Sequence, residues 1–204
     1  MKTISITGCT GFIGSSVLQY FRNEKILKSK RGEEFNLDRT SIIIHLAGKA
    51  HEVKNTSSSE EYYRVNTELT KKVFDAFLQS DATIFVTLSS VKAVADSVIG
   101  ELTEDVSPNP ISHYGKSKLL AEQYILSKQI PEGKRVYILR PCMIHGPGNK
   151  GNLNLLYKIV SKGLPWPLGA FENKRSFCSI DNVCFIIKEL IEREDIPSGV
   201  YNVA

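Results

Sequence analysis

Apolar and polar positions along this chain follow two periods in turn. Residues 2–7 hold the apolar run Ile4-Ser5-Ile6 and predict a short strand, and Phe12, Ile13, Val17, Leu18 and Phe21 then recur at helical spacing, which predicts a helix through Arg22. The stretch 23–41 is less regular. Lys25-Ile26-Leu27-Lys28 reads as a second strand and Glu34-Phe35-Asn36-Leu37-Asp38 as the stub of a third. A parallel crossover takes about a dozen residues or more, so this region is an abbreviated form of a doubly wound pattern. Ser41-Ile42-Ile43-Ile44-His45-Leu46-Ala47 is a β-branched run of the kind buried on both faces of a parallel sheet, and it ends in Gly48.

The alternation continues to the end of the chain. Serines followed by acidic residues at 57–60 form an N-cap signal before a helix carrying Tyr63, Val65, Leu69, Val73, Phe74 and Phe77. Thr83-Ile84-Phe85-Val86-Thr87-Leu88 is the next strand and releases the chain into Ser89-Ser90, at the strand end where open α/β sheets hold ligands. A polar loop with Pro108 and Pro110 leads to a helix over about 112–128, then to the strand Arg135-Val136-Tyr137-Ile138-Leu139-Arg140, which Pro141 ends. After a turn-rich segment at 146–151, a helix through Leu155, Leu156, Ile159 and Val160 precedes Pro165-Trp166-Pro167-Leu168-Gly169. A helix over about 180–192 and the strand Gly199-Val200-Tyr201-Asn202-Val203 close the sequence. The pattern is that of one α/β domain with a doubly wound, mostly parallel sheet.

Composition changes this picture little. With 204 residues and 42% hydrophobic content, the chain is long enough for one substantial core. Its net charge of +4 is spread rather than clustered, which argues against nucleic acid as a partner. Cys9, Cys142, Cys178 and Cys184 lack metal-ligand spacing and sit in or beside apolar stretches, so they read as free thiols in a reducing compartment, with Cys142 a small core residue rather than a nucleophile. His45, His51, His113 and His145 show no metal spacing either and read as packing or surface residues; no metal site is expected. There is no apolar run of bilayer length and no charged leader before the first strand, so the reading is a soluble cytoplasmic protein that does not engage membranes.

Two constellations carry chemistry. In Thr7-Gly8-Cys9-Thr10-Gly11-Phe12-Ile13-Gly14, three glycines at intervals of three permit a tight bend, a close approach of backbone to an anion, and close packing of the next helix on the strand before it. The free amides at that helix start suit a pyrophosphate. In Tyr114-Gly115-Lys116-Ser117-Lys118, Tyr114 and Lys118 are four apart and share a helix face. The lysine's charge is expected to lower the phenol's pKa and make it an acid/base near neutral pH, while a serine hydroxyl places a substrate oxygen.

In this order, these motifs resemble the extended short-chain dehydrogenase/reductase family, specifically its NAD-dependent epimerase/dehydratase group acting on nucleotide sugars. The glycine turn is similar to that family's cofactor turn, His45-Leu46-Ala47-Gly48 to its fourth-strand motif, and Tyr114-Gly115-Lys116-Ser117-Lys118 to its active-site helix. Val65-Asn66-Thr67, Arg140-Pro141-Cys142-Met143-Ile144-His145-Gly146-Pro147-Gly148, Arg175-Ser176-Phe177 and Ile180-Asp181-Asn182-Val183 are similar to further family segments. The resemblance implies a Rossmann-like core over 1–148 and 180–204, with 149–179 as a small, incomplete substrate lobe. It implies a catalytic triad of Ser90, Tyr114 and Lys118, and cofactor contacts from Gly8, Gly11, Phe12, Ile13, Gly14, Leu46, Ala47, Gly48, Asn66, Tyr114, Lys118 and Pro141. Ser90, Asn152, Trp166 and Arg175 are the implied substrate contacts, Arg175 because its fork can bond two diphosphate oxygens. Trp166 reads equally as the border of a uridine base or as an aromatic anchoring a loop. Ser89 is expected to pack against the strand end.

Departures from the family pattern narrow the reaction. Dehydratases of the family carry an acidic pair just after the catalytic hydroxyl, where this chain has Val91-Lys92, so dehydration is disfavoured. The expected activity is a 4-epimerase of a UDP-hexose or UDP-N-acetylhexosamine; a 4-keto-sugar reductase and a non-catalytic dinucleotide-binding regulator are the other readings. NAD is the expected cofactor, with NADP as the alternative: Lys28, Lys30 and Arg31 suit a 2′-phosphate, and Glu33 or Glu34 suits ribose hydroxyls. The chain stops at Ala204, where family members continue into the substrate lobe, and reads as a fragment or as a protein with an incomplete pocket. The resemblance also implies a homodimer through the Tyr-Lys helix and its neighbour.

Overall fold

The structure is a computed structural model that describes residues 2–29, 37, 39–50, 58–98, 100–149, 152–163 and 174–204. In chain order the described elements are β1 (Thr3–Thr7), α1 (Phe12–Tyr20), β2 (Lys25–Ser29), β3 (Ile42–His45), α2 (Ser59–Tyr62), a π-helical turn (Tyr63–Glu68), α3 (Leu69–Gln79) and β4 (Ile84–Leu88). They continue with a 3-10 turn (Val91–Ala93), α4 (His113–Leu126), β5 (Arg135–Pro141), β6 (Met143–His145), α5 (Asn152–Val160), β7 (Phe177–Ser179), α6 (Ile180–Glu192) and β8 (Gly199–Val203). The strand stub expected over 34–38 lies almost wholly outside the described residues, as do Lys30, Arg31, Glu33, Glu34, His51 and Trp166.

Six strands form one parallel sheet in the order β2-β1-β3-β4-β5-β8, which is the doubly wound, Rossmann-like architecture. Every residue of β1, β3 and β4 is buried, as apolar runs covered on both faces must be. Successive side chains point to opposite faces, so the sheet divides the core in two. Ile42 and Ile44 pack with Val17 and Phe21 beside α1 and with Val183 and Ile187 of α6. Ile43 and Phe85 pack with Val73, Phe74 and Phe77 of α3 and Ile125 of α4.

The chain leaves β1 to build β2 on one side and returns to build β3 on the other, so the point where strand order reverses lies between β1 and β3, at Thr7↔His45. Ligands bind at this place in open α/β sheets.

Four details differ from the expected elements. The first helix stops at Tyr20, with Phe21 turned into the core as its C-cap. The helix of residues 59–79 carries six π-helical residues in its middle. Pro141 is the last residue of β5 rather than the residue beyond it. The ladder to β4 ends at Leu88↔Leu139, so Pro141 has only β8 beside it, and a residue without an N–H is tolerated at such a local edge. A separate two-stranded parallel sheet, β6 with β7, was not predicted.

Candidate active site

The bend after β1 is as tight as a bend can be without side chains. Gly8 sits at φ +71, and a Cβ there would lie 2.5 Å from the Ala47 amide nitrogen and 2.7 Å from the Leu46 carbonyl oxygen. A Cβ on Gly14 would lie 2.1 Å from the Gly8 carbonyl oxygen, so α1 begins directly against the turn. The Gly11 amide donates to the Gly8 carbonyl at 3.1 Å, and Gly11 caps α1 with no side-chain bond and no acidic residue in the first turn. The first amides of a helix have no acceptor within it, and here they stand at the strand-order reversal uncovered by any capping side chain. Phe12, Ile13 and Leu46 pack against the core on the α1 and α6 side and hold the turn in place.

The three residues of the expected triad stand just past the end of β4 and on α4. Ser90 caps the 3-10 turn by accepting the Lys92 amide at 3.2 Å, and its side chain is hydrogen-bonded to Tyr114. The closeness of the two elements is set by Gly115, where a Cβ would lie 2.3 Å from the Lys92 carbonyl oxygen. The start of α4 is held twice. Ser112 accepts the Gly115 amide at 3.2 Å, and Asp96 accepts the amides of Ile111 and Ser112 at 2.7 and 3.1 Å while pairing with Lys92 at 3.5 Å. Those bonds keep the Asp96 carboxyl below its ordinary range against the opposing effect of burial.

Lys118 follows Tyr114 by one helical turn, and its ammonium donates to the Leu88 carbonyl at 2.8 Å. Burial lowers its pKa to about 8, opposed by the Glu122 carboxylate. The expectation that Lys118 draws the Tyr114 phenol down is not met. Burial dominates and raises the phenol above its ordinary value, helped by neighbouring Tyr62 and opposed by the Ser90 hydrogen bond. Tyr62 meets Tyr114 edge-on with ring centroids 6.1 Å apart. Ser89 is buried, its amide donating to the Leu139 carbonyl at 2.7 Å, so it serves the strand end as expected.

Asn66, on the π-helical turn, joins three elements. Its side chain accepts the Lys49 amide at 2.8 Å, donates to the Lys49 carbonyl at 3.1 Å and donates to the Ser117 hydroxyl at 3.0 Å. Gly48 lies between, with its Cβ direction 3.2 Å from both the Asn66 Oδ1 and the Lys118 Nζ. One pairing next to the site is not visible in the sequence. Glu122 and Arg140 form a buried pair one turn beyond Lys118, with Arg140 Nη2 2.6 Å and Nε 3.0 Å from the carboxylate oxygens, and they fasten α4 to β5. The available signal was Glu122's spacing of four from Lys118, on the helix stripe that holds Ala121 and Ile125 inward.

The remaining expected contacts are Pro141 on the cofactor side and Asn152 and Arg175 on the substrate side. Pro141 lies at the buried end of β5, Asn152 opens α5 with its side chain outside those described, and Arg175 is exposed just before β7. Cys142 is partly buried against the core and is a free thiol.

A family model matches residues 4–204, and it is the model of the NAD-dependent epimerase/dehydratase family. The chain belongs to that family. Among its relatives are the UDP-glucose 4-epimerase of Vibrio cholerae, 28% identical over all of this chain and 70% of that one, and the N-acetyl-alpha-D-glucosaminyl-diphospho-ditrans,octacis-undecaprenol 4-epimerase of Escherichia coli O157:H7, 26% identical over 98% of this chain and 66% of that one. The solved structure of MoeE5 in complex with UDP-glucuronic acid and NAD has the same fold, with TM-score 0.82 and 24% identity over 99% of this chain and 76% of that one. The family's cofactor is NAD, and the turn fits it: the positions a Cβ would fill at Gly8 and Gly14 keep the backbone closed around the start of α1, where a diphosphate finds amide donors. Among the described residues no helix of this family member is long and apolar enough to cross a membrane, and no group of three or more His, Cys, Asp or Glu is arranged to hold a metal ion.

Proposed function

We propose that this family member is a 4-epimerase of a sugar carried on a diphosphate, with a UDP-hexose or UDP-N-acetylhexosamine as substrate. The observation that carries the reading is the Ser90 side chain hydrogen-bonded to Tyr114 at the carboxyl edge of the sheet, one helical turn from half-buried Lys118. NAD, when bound, supplies the hydride acceptor and donor that this chain's side chains lack. Tyr114 takes the proton of the sugar's C4 hydroxyl and later returns one, and its raised pKa means that an added positive charge nearby is needed to make it a base. The positive charge of oxidised NAD, when bound, would supply it; Lys118 bonds the nicotinamide ribose, and Ser90 holds the C4 oxygen. Gly8, Gly11, Phe12, Ile13, Gly14, Leu46, Ala47, Gly48, Asn66 and Pro141 wall the nucleotide. Asn152, Trp166 and Arg175, in the segment 149–179, meet the diphosphate and base of the substrate, Arg175 through its fork.

The 3-10 turn supports epimerisation over dehydration. Lys92 stands where an eliminating acid would be needed, and Asp96 on the same loop is bound to two amides and Lys92. The test is to purify the protein, identify its bound nucleotide, and supply UDP-glucose and UDP-N-acetylglucosamine with and without NADPH. Interconversion of C4 isomers with no net use of cofactor is the expected result. Stoichiometric oxidation of NADPH on a 4-keto sugar nucleotide, without isomer exchange, would replace the proposal with a reductase.

A further inference from the structure

Beneath the loop 46–49 runs a chain of hydrogen bonds whose direction can be read from its ends. The Ala47 amide donates to Thr7 Oγ1 at 3.1 Å, Thr7 Oγ1 lies 2.8 Å from His45 Nδ1, and His45 Nε2 lies 3.0 Å from Thr70 Oγ1. Thr70 in turn donates to the Asn66 carbonyl at 2.8 Å. A carbonyl only accepts, so the single proton of the Thr70 hydroxyl is committed to Asn66, and Thr70 must accept from His45. His45 therefore carries its proton on Nε2, its Nδ1 is an acceptor, and the Thr7 hydroxyl donates to it. Thr7, His45, Asn66 and Thr70 are all buried, and burial with the charge of Lys118 lowers the His45 pKa to about 3, which keeps the ring neutral.

The chain closes on itself. The Asn66 side chain holds both the amide and the carbonyl of Lys49, two residues past Ala47, so both ends of the relay grip the same short loop. Between the grips stands Gly48, against Lys118.

We infer that His45 is a positioning residue: through Thr7 and Thr70 it ties the loop 46–49 to the π-helical turn of Asn66 in one register, setting the wall against which NAD and Lys118 meet. The assignment rests on the proposed use of NAD at this site. It adds a role to a histidine whose sequence context indicates only packing.

The full-length protein, its Thr70→Val, Thr70→Ser and Thr7→Val variants, each labelled with 15N-histidine, provide the test by NAD titration and by ring-nitrogen NMR, with His45→Gln used to assign the signal. Valine keeps the shape of threonine and removes the hydroxyl. The wild-type ring is expected as the Nε2–H tautomer. Thr70→Val is expected to weaken NAD binding about tenfold, as for loss of a buried hydrogen bond, and to shift the ring toward a mixture of tautomers; Thr70→Ser restores both. Thr7→Val weakens binding in the same sense. An Nδ1–H ring in the wild type overturns the relay, as does NAD affinity within about twofold of wild type in both valine variants. A wild-type protein that binds no NAD overturns the NAD-dependent reading and the relay with it, whereas binding that is indifferent to the variants overturns the relay alone.

Discussion

Asn66 and Arg175 are both polar residues placed at the two ends of one proposed ligand-binding cleft, yet they live in opposite surroundings. Asn66 is 0% exposed, uses its side-chain amide three times, and sits on a helix that departs from α geometry at that point. A π-helical turn in a helix interior is costly and persists where the surroundings hold it. Arg175 is exposed, in a short extended stretch leading to a strand of three residues, near exposed Phe177. The nucleotide side is built into the core by hydrogen bonds that have nowhere else to go, because an unpaired buried polar group is expensive. Arg175, on the proposed substrate side, stands on the surface. Errors in the first therefore unbalance the fold, and changes in the second alter recognition alone.

That contrast can be broken by separating chemistry from structure. Tyr114→Phe is expected to lower turnover by about 10²–10⁴-fold, the range of general acid–base catalysis, while NAD still binds in a titration. Loss of NAD binding in that variant would show that the phenol belongs to the framework.

A smaller effect, on the fold itself, is expected at the buried pair behind Lys118. Arg140→Met leaves the Glu122 carboxylate buried without its partner and is expected to cost about 3–5 kcal/mol in urea unfolding, whereas Arg140→Met combined with Glu122→Leu recovers most of that loss. If the single variant unfolds like wild type, the pair does not fasten α4 to β5.

The pH dependence of stability is next. His45 is held at about 3 against an ordinary value of 6.5, so below pH 6.5 the unfolded chain takes up a proton that the folded chain refuses. Stability is fully present above about 6.5 and declines as pH falls toward 3. Urea midpoints between pH 7.5 and 5, above most carboxylate titrations, should show the decline, and His45→Gln should flatten it. At the weak end, Arg175→Ala is expected to raise KM for the sugar nucleotide about tenfold, the scale of one charge-assisted contact, with an unchanged thermal midpoint. A lowered midpoint would place Arg175 in the framework and erase the contrast.

Much of this molecule is legible in residue order. The β-branched runs Ile42-Ile43-Ile44 and Ile84-Phe85-Val86 announce strands covered on both faces, the glycine spacing announces the bend, and the spacing of Tyr114 from Lys118 announces a shared helix face. Each is a local property, governed by backbone sterics and helical or pleated period within a few residues. The path of charge and hydrogen bonds is not local. That burial outweighs the Ser90 hydrogen bond at Tyr114, that Arg140 finds Glu122, and that His45 bridges Thr7 and Thr70 depend on groups between 18 and 38 residues apart where the bonds are direct. The glycine turn shows both sides: its tightness follows from its composition, but what it closes against, the backbone of Leu46 and Ala47, is settled by the pairing of β1 with β3. Desolvation and hydrogen-bond pairing are properties of what surrounds a group, and those surroundings exist only once distant strands and helices have packed.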